Sequence, residues 1–77
     1  MRKWFADLRA ETGMTCKALG QKMGHSESYV FRIETGDLKA KGLNTKLLIE
    51  IAEATGRDPM DLVRAEIKWM QGKEGEP

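Results

Sequence analysis

The side chains most often used for nucleophilic and metal chemistry, cysteine and histidine, are scarce in this chain. It holds one cysteine, Cys16, and one histidine, His25. One of each does not complete a metal site without carboxylates at suitable spacing, and none is evident. His25 falls in a turn rather than beside the thiol, so Cys16 is not read as a nucleophile. An enzyme has no supporting constellation here, and no cofactor or metal is expected. What remains is recognition chemistry. Between Ser26 and Gly36 the apolar residues Val30 and Ile33 recur three apart, the spacing of one helical face. They leave Glu27, Ser28, Phe31 and Arg32 pointing outward. The planar fork of Arg32 can bond a guanine edge bidentately. Glu27 can accept from a cytosine amine, and equally it can stabilise the positive end of its own helix. An outward Phe31 can pack on a thymine methyl or fold back onto the following loop.

The elements that must position these residues lie between Thr15 and Gly36. Thr15 is placed to cap a helix over about Cys16 to Met23, with Leu19 and Met23 four apart on one face. Gly24 stands where that helix must stop and a left-handed residue is usual. Ser26 caps a second helix, about Glu27 to Thr35, which Gly36 ends. A first helix is predicted over residues 2–12, with Phe5, Leu8 and Trp4 as its packing side and Gly13 as its stop. Asn44 is placed to cap a fourth helix, and Leu43 and Leu48 flank that cap as a hydrophobic staple. Leu47, Leu48, Ile51, Ala52 and Thr55 give it the broadest apolar stripe, so it should be the most buried. Asp58-Pro59-Met60-Asp61 is a helix start of capping acid, first-position proline and first-turn acid. The fifth helix should run to about Gln71. Leu62, Val63, Ile67 and Met70 carry its stripe further than one small domain needs.

The stretch from Thr15 to Gly36 resembles the helix-turn-helix of the lambda-repressor and Cro-like regulators. The resemblance rests on Leu19, the small Gly20, Gly24 in the turn, Val30, Ile33, Glu34 and Gly36. It implies an all-α, compact five-helix domain in which the helices of residues 16–23 and 27–35 form the motif. It also implies binding to double-stranded DNA, with the helix of 27–35 in the major groove. Carried over by position, Glu27, Ser28 and Arg32 become base-contacting residues. Thr15, Cys16, Lys17, Tyr29, Thr35, Lys39 and Lys41 fall on the sugar-phosphate side. Arg9 and Glu34 become a partly buried ion pair tying the first helix to the third. Val63, Ile67 and Met70 become a dimer interface, the stripe's alternative being that Ile67 and Trp69 wrap back toward Trp4. The chain departs from the pattern at three places. Cys16 replaces a glutamine that steadies a DNA contact, His25 replaces an aliphatic residue, and the segment after Gly36 is longer and lacks a proline.

Length and charge set the outer bounds. Seventy-seven residues make one domain with a small core. Residues 1–71 are expected as the DNA-binding domain with its pairing helix, and 72–77 as a flexible tail. A lone cysteine excludes an internal disulfide and fits a reducing compartment. Asp7 and Arg9 break any apolar run behind Arg2 and Lys3, and no stretch approaches a membrane span. A cytoplasmic protein is expected. The formal net charge is only +1, but it is unevenly placed. From Met14 to Lys46 six bases face three acids, and from Leu47 onward four bases face seven acids. The basic half is the half that holds the motif, as suits one face turned toward phosphates. The resulting expectation is a sequence-specific regulator, a repressor or autoregulator of phage, mobile-element, restriction-modification or antitoxin type. It would bind a palindromic operator as a homodimer, with no small-molecule ligand. The competing expectation keeps the fold and gives it a protein partner, because Glu27 and Cys16 are unusual on a surface facing DNA.

Overall fold

Four of the five helices open on a side chain that takes up an otherwise unpaired amide of the first turn. Thr15 accepts from the Ala18 amide at 3.0 Å, Ser26 from Tyr29 at 3.1 Å, Asn44 from Leu47 at 2.8 Å and Asp58 from Met60 at 2.9 Å. The computed structural model describes residues 1–36 and 42–74. Within them the helices are α1 (Lys3–Thr12), α2 (Cys16–Met23), α3 (Glu27–Thr35), α4 (Thr45–Thr55) and α5 (Pro59–Met70), and no strand occurs among the described residues.

The exception is α1. Its N-cap residue, Arg2, makes no side-chain cap. The carboxylate of Glu74 substitutes from the far end of the chain, accepting the amides of Lys3 at 2.9 Å and Trp4 at 2.7 Å. A negative group there also complements the helix dipole. The expected flexible tail of residues 72–77 therefore holds a residue, Glu74, that returns to α1, while 75–77 lie outside the described residues.

The core is one cluster contributed by all five helices. Phe5, Leu19, Val30, Ile33 and Ile51 are fully buried, joined by Leu8, Leu47, Leu48, Ala52 and Leu62. Leu43 and Leu48 are buried on either side of the Asn44 cap, the arrangement of a hydrophobic staple. Helix α2 packs on α3 and α4, α5 packs on α4, and α1 spans α3, α4 and α5. None of the described helices is long and apolar enough to cross a membrane.

One packing detail fixes the angle between α2 and α3. A Cβ at Gly20 would lie 2.7 Å from the His25 carbonyl oxygen and 3.2 Å from that of Ser26. The turn backbone thus passes closer to α2 than an alanine would allow without a shift. Gly24, in that turn, has φ of +76°, which only glycine adopts at little cost.

Candidate nucleic-acid interface

Because Val30 and Ile33 face inward, the opposite flank of α3 is left bare. Glu27, Ser28, Phe31, Arg32 and Thr35 are all exposed, and no other part of the described chain covers them. Phe31 is 55% exposed, and residues 37–41 of the following loop, its alternative packing partner, lie outside the described residues. Glu27, Ser28, Phe31 and Arg32 line a shallow open groove, and Cys16 forms its α2 wall. This puts a guanidinium, a carboxylate, a hydroxyl and an aromatic ring along one surface strip. Beside it, Thr15 and Lys17 are exposed at the N-terminal end of α2. The unpaired amides of a helix's first turn and a lysine charge are both groups that attract an anion.

The Cys16 thiol is half-buried, and burial pushes its pKa up. Arg9 pulls the other way, Glu34 and Glu27 push up again, and the net value lies above that of an ordinary thiol. Cys16 is therefore a neutral, weakly hydrogen-bonding wall rather than a thiolate.

Behind the strip, one ion pair ties the last turn of α3 to α1, and a second pair ties the turn before α3 to α4. Arg9 Nε and Nη2 donate to the two oxygens of Glu34 at 2.7 and 3.2 Å, and Arg9 Nη1 donates to the Met14 carbonyl at 3.2 Å. Glu34 is 7% exposed, so this pair joins α1 to the last turn of α3 across a mostly dry contact. At the other end, His25 Nε2 lies 3.0 Å from Glu50 Oε2 on α4. The imidazole stacks on Tyr29, with ring centroids 4.6 Å apart and planes 28° apart. Tyr29, carried over as a backbone-side residue, is thereby half-buried at the α2–α3 turn.

A helix-turn-helix family model matches residues 5–62. The chain belongs to the Cro/C1-type helix-turn-helix family. It is accordingly a DNA-binding helix-turn-helix regulator with the all-α fold of that family. No curated protein and no solved structure matches the chain.

The helix-turn-helix match covers every residue of the α3 strip and the Arg9–Glu34 pair, but it stops at Leu62 on α5. Beyond that point, Val63 is half-buried against the chain's own core, while Ile67 and Met70 are 48% and 52% exposed. Trp69 turns back toward the start of the chain, its Nε1–H donating to the Met1 carbonyl at 2.8 Å. Ile67 does not follow it. Lys39 and Lys41 lie outside the described residues.

Two groupings escaped the sequence reading. His25–Glu50 joins residues 25 apart, and Arg2–Glu66 joins residues 64 apart. No local spacing rule connects such pairs. The only sequence signal for the second was an acid, Glu66, placed within the apolar stripe between Val63 and Ile67.

Proposed function

We propose that the protein is a sequence-specific regulator that acts by occupying its operator, with α3 laid in the major groove. The observation that carries this reading is the bare polar flank of α3 beside the exposed N-terminal turn of α2. In this reading Arg32 bonds a guanine edge, and Ser28 and Glu27 complete the base contacts. Thr15, Cys16 and Lys17 meet one phosphate run, and Tyr29 and Thr35 border the other, with Lys39 and Lys41 as additional phosphate contacts. Phe31, exposed between Glu27 and Arg32, supplies an apolar contact to a thymine methyl. Ile67 and Met70 support a homodimer on a two-fold operator, with Val63 at the edge of that contact. Blocking polymerase is then the regulatory outcome, in an operon that includes the protein's own gene.

Affinity for random duplex measured from about 50 to 200 mM salt tests the DNA contact. Several phosphate contacts require log affinity to fall linearly with log salt, by orders of magnitude over that range. Sequences selected from a random duplex pool test specificity and pairing together, since a dimer returns a palindrome. A second reading, a protein partner seated on the same strip, is favoured by the exposed Phe31 and by Glu27. It requires that duplex binding be absent even in dilute buffer.

A further inference from the structure

The residues outside the family match build a buried polar cluster at the back end of α3. Arg2 is 1% exposed and Glu66 is 3% exposed. Arg2 Nε and Nη2 donate to Glu66 Oε1 and Oε2 at 2.8 and 2.9 Å, a bidentate pair. The remaining guanidinium nitrogen, Nη1, donates to the Ile33 carbonyl at 2.7 Å, and the Arg2 backbone N–H donates to the Glu34 carbonyl at 2.7 Å. Both carbonyls belong to the last turn of α3, whose dipole favours a cation there.

The cluster is closed by α5. The Trp69 ring covers the guanidinium with 4.0 Å to its centroid. The same ring stands so close to Gly36 that a Cβ there would come within 3.0 Å of it. Glu66 Oε2 also accepts the Leu43 amide at 2.7 Å, and Glu66 Oε1 accepts the Trp4 indole N–H at 3.0 Å. Thus Arg2, Glu66 and Trp69 bind the end of α3, the residue that stops it, and the chain just before α4. Among the described buried side chains no polar atom is left without a partner, so the cluster is fully satisfied as it stands.

We propose that Arg2, backed by Glu66 and Trp69, is a positioning residue for base reading. It sets the tilt of α3, and so the register of Glu27 and Ser28 against base edges. This rests on the DNA reading above. At about 1.5 Å per residue, the first turn of α3 stands roughly 9 Å from the clamped carbonyls. A tilt of about 10° at the clamp moves it by roughly 1.5 Å, while a preorganised contact tolerates about 0.5 Å. A phosphate contact through the long, rotatable side chain of Lys17 absorbs such a shift. Loosening the clamp therefore erodes specificity before it erodes general affinity for duplex.

The test uses the full chain and an operator selected from a random duplex pool by the wild type. Affinities for that operator and for random duplex are measured over a salt series for the wild type, Arg2→Met and Trp69→Leu. All are held below their melting temperatures, with folding checked by circular dichroism. Arg2→Met is expected to lower the operator-to-random affinity ratio at least tenfold, with random-duplex affinity and its salt slope within twofold of wild type. Trp69→Leu keeps the ion pair and is expected to lower the ratio about threefold. It decides the matter if Arg2→Met does not fold. Folded variants with an unchanged ratio overturn the proposal alone, because a merely structural clamp lowers the melting temperature without altering specificity. A wild type that retains no duplex, or yields no consensus, overturns the DNA reading and this proposal with it.

Discussion

Arg2 and Glu66 form a bidentate ion pair at 2.8 and 2.9 Å with both side chains almost wholly removed from solvent, although 64 residues separate them. A buried pair of this kind is not by itself a source of net stability, since both charges lose their hydration. Its removal in halves is another matter. Arg2→Met leaves an uncompensated carboxylate against Leu43 and Trp4, and Glu66→Leu leaves an uncompensated guanidinium. Each is expected to destabilise by about 3–5 kcal/mol. The double variant should cost clearly less than the two singles together. A double-mutant cycle in urea reads the difference directly.

The same pair sets an acid limit on stability. Burial pushes the Glu66 carboxyl up, but hydrogen bonds from Arg2, the Leu43 amide and Trp4 outweigh it, together with the Arg2 charge. The net pKa lies below that of an ordinary glutamate. A carboxyl depressed in the folded state stabilises above its unfolded value, about 4.3. That contribution is lost as pH falls through the lower folded value. Unfolding free energy should therefore drop below about pH 4.3. Glu66→Gln should flatten that part of the profile, and an equally steep acid drop in Glu66→Gln would assign the loss to other carboxylates.

Arg9–Glu34 and Arg57–Glu11 offer a contrast of burial at similar distance, 2.7 against 2.9 Å. Glu34 is nearly dry, and Arg9 also holds the Met14 carbonyl. Arg9→Ala is expected to cost about 1.5–3 kcal/mol, the range for hydrogen bonds to charged groups. The side chains of Arg57 and Glu11 are 43% and 62% exposed, and Arg57→Ala should cost below about 1 kcal/mol. Thermal melts of the two variants decide it. Equal shifts would mean that the α1–α3 pair is as solvated as the surface one.

Gly20→Ala sets helix propensity against a backbone clash. Within a helix, alanine is favoured over glycine by about 1 kcal/mol. Here the added methyl would meet the His25 carbonyl oxygen at 2.7 Å, and backbone does not yield as a flexible side chain does. The variant should be less stable than wild type, despite its better propensity. A rise in melting temperature would show that the turn relaxes freely.

Glu74 makes the end of the chain part of α1. Glu74→Ala removes the acceptor of the Lys3 and Trp4 amides and is expected to cost about 0.5–2 kcal/mol, as the loss of a helix cap does. Hydrogen exchange should quicken at the first turn of α1 before anywhere in α4. Unaltered exchange there would mean that water serves those amides equally well.

Much of the local architecture was legible in residue order, because helix ends are short-range chemistry. Thr15, Ser26, Asn44 and Asp58 each bond an amide within three residues, so capping could be read position by position. The inward Val30 and Ile33, and hence the bare flank of Glu27, Ser28 and Arg32, follow from helical periodicity in the same way. The expected stripe on α5 was less informative. Periodicity shows that Leu62, Val63, Ile67 and Met70 are apolar on one side, but not how far α4 reaches along it.

What order along the chain determined, then, was five helices, their stops, and which flank of α3 would be bare. The family match over residues 5–62 accords with the all-α helix-turn-helix fold. Only the tertiary structure decided that Arg2 closes the carbonyl end of α3 beneath Trp69, that the buried Glu66 takes up the Trp4 indole N–H, that Glu50 reaches His25, and that Glu74 caps α1. The reason is the range of the forces involved. Capping and amphipathicity act within one or two turns and leave a periodic trace. A buried charge instead finds its partner wherever packing brings one within hydrogen-bond reach and shuts out water, and nothing in the local pattern of either residue records that meeting.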